Sequence, residues 1–346
     1  MENLLEKMIQ DEKSEELARL DAINIVNSLF AELLDREKDI LSRRFGLKGD
    51  KGETLEKIGS LHKLTRERVR QIEAASIKKI KKLENLEGYI ATLKRTVQNL
   101  LKEHGGLMRR DYLLDILTVM ALEINNESNP ADVNYDKNRQ MYRNHFNFLI
   151  SKLMGDDLEM VSDTGDFNTS YKIKNEPINH LQDLATDLLK KVEVLKKTFT
   201  TNELLDLLKK LDAYNKHTVK LNPVDSADIT PVFKSQLFPD KAEVINSNKI
   251  LYSLMQSVKN LEQNKYGEWG LADWEEVKPK TVNDKIYLIL KHEGKPLHFT
   301  DIAKKINDMK FDKKTANAAT VHNELILDDR YVLTSRGTYG LKNWAK

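Results

Sequence analysis

The sequence contains no cysteine in its 346 residues. Disulfides and thiolate metal sites are therefore excluded, and a reducing cytoplasm is the expected location. No apolar run follows a basic start. Met1 leads into Glu2, Glu6, Asp11 and Glu12, the wrong sign for a secretory signal. The longest apolar stretches, such as 112–122, are shorter than a bilayer span and include Asp115, so no membrane partner is expected. Catalytic and cofactor signatures are also lacking. The eight histidines show neither HxH nor HxxxH spacing, and no Walker loop, GxSxG elbow or dinucleotide fingerprint occurs. The expectation is a protein without enzymatic activity, cofactor, metal or small-molecule substrate.

What is present is charge, unevenly placed. Net charge is only +2, yet residues 1–40 carry 11 acids and 5 bases, and residues 62–82 carry 8 bases and 2 acids. A net of −6 followed by +6 is the asymmetry of a nucleic-acid binder. Residues 15–34 place Leu17, Leu20, Ile23, Val26, Phe30 and Leu33 at helical spacing. Asp35 is the expected N-cap of a helix that Gly46 closes. Thr54 opens a short helix, His62-Lys63-Leu64 makes a turn, and Thr65 caps a long basic helix, RERVRQIEAASIKKIKKL. Two helices joined by a tight turn, the second one basic, form the unit that enters a DNA major groove. Leu64, Val69, Ile72 and Ile80 are placed to pack inward. Arg66, Glu67, Arg70 and Gln71 fall on the opposite face near the helix start, where base edges are met. Arginine can clamp guanine, glutamine can pair with adenine, and glutamate can accept from cytosine. Thr65, Arg68, Lys78, Lys79, Lys81 and Lys82 read as phosphate contacts.

The strings REKDILSRRFGL, TLEKIGSLHKLTRERVRQIE and AASIKKIKKL resemble region 4 of the primary bacterial sigma factors over residues of about 33–83. The resemblance implies reading of a promoter −35 element in double-stranded DNA by Arg66, Glu67, Arg70 and Gln71. It also implies docking on the β flap of core RNA polymerase through the first helices. Sigma factors carry an upstream aromatic-rich region that melts the −10 element. The 32 residues before this module are acidic and hold one aromatic, Phe30, so a sigma-like protein that does not open promoters alone is expected.

After residue 84 the chain repeats. Residues 268–274 read EWGLADW, 338–344 read TYGLKNW, and 169–175, TSYKIKN, form a degenerate third ending. Three helical stretches precede each ending: 90–104, 109–117 and 139–154; 181–196, 200–210 and 246–261; 282–292, 299–309 and 316–327. Three helices and a hairpin make a winged helix. In the last copy Tyr331, Leu333, Tyr339, Leu341 and Trp344 are expected to fix the wing to the helices. Residues 281–346 are similar to the HARE-HTH domain found in the delta subunit of Gram-positive RNA polymerase. That resemblance implies a winged helix associated with transcription or DNA.

The expected architecture is mainly α: an acidic helical segment (1–32), a sigma region-4 helix-turn-helix (33–84), and tandem winged helices with short β-hairpin wings. The winged units span 89–175, 178–275 with an insertion at 212–245 holding prolines 223, 231 and 239, and 281–346. Linkers are expected near 84–89, 175–179 and 275–280. Third-helix candidates for DNA or protein contact are Arg139, Arg143, His145 and Lys152 in the first copy, and Lys313, Lys314, Asn317, Thr320 and Asn323 in the last. The expected function is promoter reading, polymerase docking or both, at the nucleoid. The alternative is a delta-like polymerase accessory protein without sequence-specific reading.

Overall fold

The computed structural model describes residues 20–161, 165–221 and 242–344. The first part of the expected acidic segment and prolines 223, 231 and 239 lie outside the described residues. The chain is mainly helical with small antiparallel sheets. It divides into two units. One comprises the described residues up to Gln182 with His217–Ser257, the other Asp183–Lys216 with the residues from Val258 onward.

The first unit begins with α1 (Ala22–Phe30), capped by Asp21, whose carboxylate accepts the Ile23 and Asn24 N–H groups at 3.0 Å each. Helix α2 (Asp35–Phe45) corrects one expectation, because Leu34 rather than Asp35 is its N-cap residue. Leucine has no acceptor, so capping comes instead from Glu37, which reaches back to the Leu34 N–H at 2.8 Å. Gly46 ends the helix at φ +65°, as expected. Helices α3 (Leu55–His62) and α4 (Arg66–Lys81) carry the expected threonine caps. Thr54 accepts the Lys57 N–H and Thr65 the Arg68 N–H, both at 3.2 Å.

Ile40, Ile58 and Val69 form the core of this module, with Leu55, Leu64 and Ile72 packed against it. The tight α3–α4 turn depends on Gly59. A β-carbon there would lie 2.6 Å from the Leu64 carbonyl oxygen, while the Leu64 N–H bonds to the Gly59 carbonyl at 2.8 Å. Only glycine lets the backbones approach this closely.

Helix α5 (Leu86–Glu103) starts sooner than expected, leaving almost no linker after α4. Strand β1 (Leu107–Arg109), α6 (Arg110–Ile124), α7 (Tyr135–Leu153), β2 (Leu158–Val161) and β3 (Ser170–Ile173) complete a winged helix whose antiparallel sheet has the order β1-β3-β2. Helix α6 runs seven residues beyond its expected end because Val119, Ala121 and Leu122 continue the buried face.

The second winged copy contributes α8 (Asn179–Leu195) and α9 (Thr201–Lys209). The latter carries a reciprocal Thr200–Glu203 capping box. Short helices follow: α10 (Asp212–Lys216), α11 (Thr218–Leu221) and α12 (Ala242–Asn246). Helix α13 (Lys249–Ser257), the expected third helix of this copy, belongs to the first unit. Its Ser253 hydroxyl donates to the Leu107 carbonyl at 2.7 Å and Lys249 pairs with Glu103 at 3.2 Å. Its Tyr252 ring lies 5.7 Å from that of Tyr112. The boundaries read from the repeat therefore differ from those of the compact units, because these contacts draw α13 onto β1.

In the second unit, β4 (Leu261–Gln263) and β5 (Trp269–Leu271) form a hairpin, and the Trp269 indole donates to Thr201 at 2.9 Å. The last copy comprises α14 (Val282–Glu293), β6 (Leu297–His298), α15 (Phe299–Met309), α16 (Ala318–Leu327), β7 (Tyr331–Ser335) and β8 (Thr338–Leu341), with strand order β6-β8-β7. Ile286, Ile289, Ile302, Ile306, Val321 and Leu325 fill its core, and Tyr331, Tyr339 and Leu341 pin the wing as expected. Trp344 packs alongside, but Leu333 does not contribute: it is 58% exposed. Strand alternation breaks beyond it, with a register irregularity between Leu333 and Ser335.

The repeated Gly-x-x-x-Trp endings have a common physical basis. A β-carbon on Gly270 would meet the Trp274 ring at 2.9 Å, and one on Gly340 the Trp344 ring at 3.2 Å. Each tryptophan lies across the bare backbone of its glycine.

Candidate nucleic-acid interface

Helix α4 is divided lengthwise by burial. Val69, Ser76 and Ile80 are buried and Ile72 half-buried, while Arg66, Glu67, Arg68, Arg70 and Gln71 are exposed. The apolar spacing fixes this, since residues three and four apart share a face. The structure thus brings the four expected base-reading residues together on the open face of the helix's first two turns. Here unpaired N–H groups and the helix dipole also favour a phosphate.

These side chains are organised before any ligand arrives. Arg70 grips Glu67 with two hydrogen bonds of 2.8 and 2.7 Å. The Gln71 amide donates to Glu67 at 3.5 Å, and Arg68 donates to the Gln71 oxygen at 3.2 Å. Arg66 reaches across the turn to Glu56 at 3.2 Å. The Arg70 hydrogen bonds hold the Glu67 carboxyl below the usual carboxylate range and push the Arg70 guanidinium up. Both groups lie in water, where such pairs are weak and screened. Arg70 can therefore exchange Glu67 for a base edge or phosphate at little cost.

Among the expected phosphate contacts, Thr65, Lys78, Lys81 and Lys82 are exposed. Lys79 is partly committed to Glu37 at 3.5 Å. Glu73, which counted in the sequence only as a negative charge, has a structural role. Its side chain is 13% exposed and takes Arg44 at 3.3 Å and Lys152 at 4.0 Å. Asp39 is a second node, bonded to Arg43 at 2.8 Å and His62 at 2.9 Å. Burial raises its pKa, but those two hydrogen bonds outweigh burial and leave it lowered. Neither node was legible, because both join residues distant in sequence.

The third-helix candidates of the first winged copy are not available for DNA. Arg143 bonds to Asp111 at 2.7 Å and to Asp115, and His145 is buried with its ring bonded to the Met141 carbonyl at 2.7 Å. Lys152 lies over the Phe45 ring at 5.3 Å, and Arg139 is half-buried. In the last copy Lys313, Lys314, Asn317, Thr320 and Asn323 are all exposed, and Asn317 caps α16.

Residues 29–82 match the family model of sigma-70, region 4. Residues 280–344 match that of HARE-HTH, the ASXL and restriction endonuclease HTH domain. The region-4-like module is 42% identical over 72 residues to RNA polymerase sigma factor SigA of Microcystis aeruginosa, covering 21% of this chain and 16% of that protein. It is 53% identical over 49 residues to SigA of Lactococcus lactis subsp. cremoris, covering 14% of each. It is 47% identical over 57 residues to sigma factor RpoD of Helicobacter pylori strain 26695, covering 16% and 8%. The chain thus spans less than a fifth of the length of these relatives. No solved structure matches it significantly. Among the described residues, no helix is long and apolar enough to cross a membrane, and no group of three His, Asp or Glu is placed to hold a metal ion.

Proposed function

We propose that this chain is a sigma-like, DNA-binding transcription regulator. Its first module reads a −35-type element through Arg66, Glu67, Arg70 and Gln71, and takes phosphates with Thr65, Arg68, Lys78, Lys81, Lys82 and, more weakly, Lys79. The observation that carries the reading is the open face of α4, where four groups able to address base edges stand on a helix whose other face is buried. The match of residues 29–82 to sigma-70, region 4 adds RNA polymerase as the second partner, met at the β flap through α1 and α2. The exposed start of α16 supports a second contact with DNA or polymerase from the HARE-HTH-like module.

Selection from a pool of random duplexes tests the reading. Enrichment of one hexamer, lost in Arg70→Ala, is the expected result. A pool that stays random through repeated rounds favours the delta-like accessory role instead.

A further inference from the structure

Helix α7 is the third helix of its winged unit, the position that reads DNA in helix-turn-helix proteins. Yet no residue from Asn138 to Ile150 is exposed. Part of that helix is occupied by the region-4-like module. The Phe148 ring meets Phe30 edge-on at 5.7 Å and Phe45 at 4.9 Å. One turn earlier, the Asn144 amide donates to the Gly46 carbonyl at 2.6 Å and the Asp50 carbonyl at 3.0 Å. One turn later, Lys152 covers the Phe45 ring and approaches Glu73 on α4. Residues i, i+4 and i+8 thus form one stripe of amide, aromatic and cation. In the module, Ile25, Val26, Leu29 and Phe30 of α1 are buried, and Leu34 and Leu61 are its exposed large apolar side chains.

We propose that α7 is an internal occupant of the module's protein-docking face, and that it excludes a polymerase helix while seated. The inference rests on the reading that α1 and α2 meet polymerase. Occupancy by α7 closes this face but leaves the base-reading surface of α4 open. DNA binding and polymerase docking are therefore separable, and polymerase engages by displacing α7 with a helix that presents a similar aromatic between polar flanks. A face closed most of the time lowers apparent partner affinity by the fraction of time it is open.

The absence of native cysteine makes the test clean. Lys137 lies against Gly49, with its Cγ 3.1 Å from where a Gly49 β-carbon would be. Asp50→Cys with Lys137→Cys in the full chain can therefore be bridged by a short bis-maleimide, pinning α7 in place. Binding of purified bacterial core RNA polymerase and of a −35 duplex is measured with and without the bridge. The bridge should weaken polymerase binding at least about tenfold and leave DNA affinity within about twofold. Asn144→Ala/Lys152→Ala, which loosens the seat without emptying a core position, should strengthen polymerase binding several-fold. Equal polymerase binding by bridged and unbridged protein overturns the occlusion while leaving docking intact. Absence of polymerase binding in every form, the loosened one included, overturns the docking reading itself and the occlusion with it.

Discussion

His104 gives the first unit a defined acid sensitivity. Its ring is fully buried, Nδ1 bonds to the Leu100 carbonyl at 2.7 Å, and Nε2 has no hydrogen-bond partner among the described residues. Burial pushes its pKa down to about 4, assisted by the Lys249 ammonium and opposed by the Leu100 carbonyl. The unfolded chain binds this proton near pH 6.5, so the folded state resists protonation by about 2.5 units. A base with a depressed folded pKa contributes stability that is full above the unfolded value and is lost as pH falls toward the folded one. The loss attributable to His104 is about 2 kcal/mol at pH 5, approaching about 3 kcal/mol at pH 4. Urea unfolding of wild type and His104→Gln between pH 7.5 and 4 measures it. The wild-type curve should fall more steeply between pH 6.5 and 4, the two separating by that amount. Parallel curves would refute the argument, showing that the ring meets water or a proton acceptor in the folded state.

Three further outcomes follow from the module. Arg70→Ala should weaken the preferred duplex by about 5- to 150-fold and flatten its base preference, read by fluorescence anisotropy across substituted duplexes; equal loss on random DNA would make Arg70 a phosphate contact. Lys81→Ala should weaken all duplexes alike and lower the salt slope by about 1. Lys79→Ala should do so less, because that lysine is shared with Glu37. Gly59→Ala should destabilise the first unit by about 1–3 kcal/mol, because its new methyl meets the Leu64 carbonyl; chemical denaturation checks this, and an unchanged midpoint would show that the turn can open at no cost.

The helix-turn-helix was legible because local rules agree there: threonine caps, a glycine stop and inward leucine, valine and isoleucine at helical spacing all mark the same boundaries. The wings were legible through repeated Gly-x-x-x-Trp endings, whose ring-on-glycine packing is also local. Leu34 in place of Asp35 at the cap was missed because Glu37, three residues on, does the capping. Leu333 was misplaced because alternation fails past a register irregularity. The larger omissions were long-range. Nothing near Arg143, His145 or Lys152 in sequence marks Asp111, Met141 and Phe45 as their partners, and nothing near α13 marks β1 as its seat. Charge on a third helix was taken as exposure; packing had already used it.

Fluorescence anisotropy of the full chain on two duplexes at one salt concentration, differing only in an intact or scrambled −35 hexamer, tests the base-reading face of α4 most directly. The account predicts at least about tenfold tighter binding to the intact hexamer, a difference that disappears when Arg66, Glu67, Arg70 and Gln71 are replaced together by alanine. Equal affinity for both duplexes in the unaltered protein would contradict it.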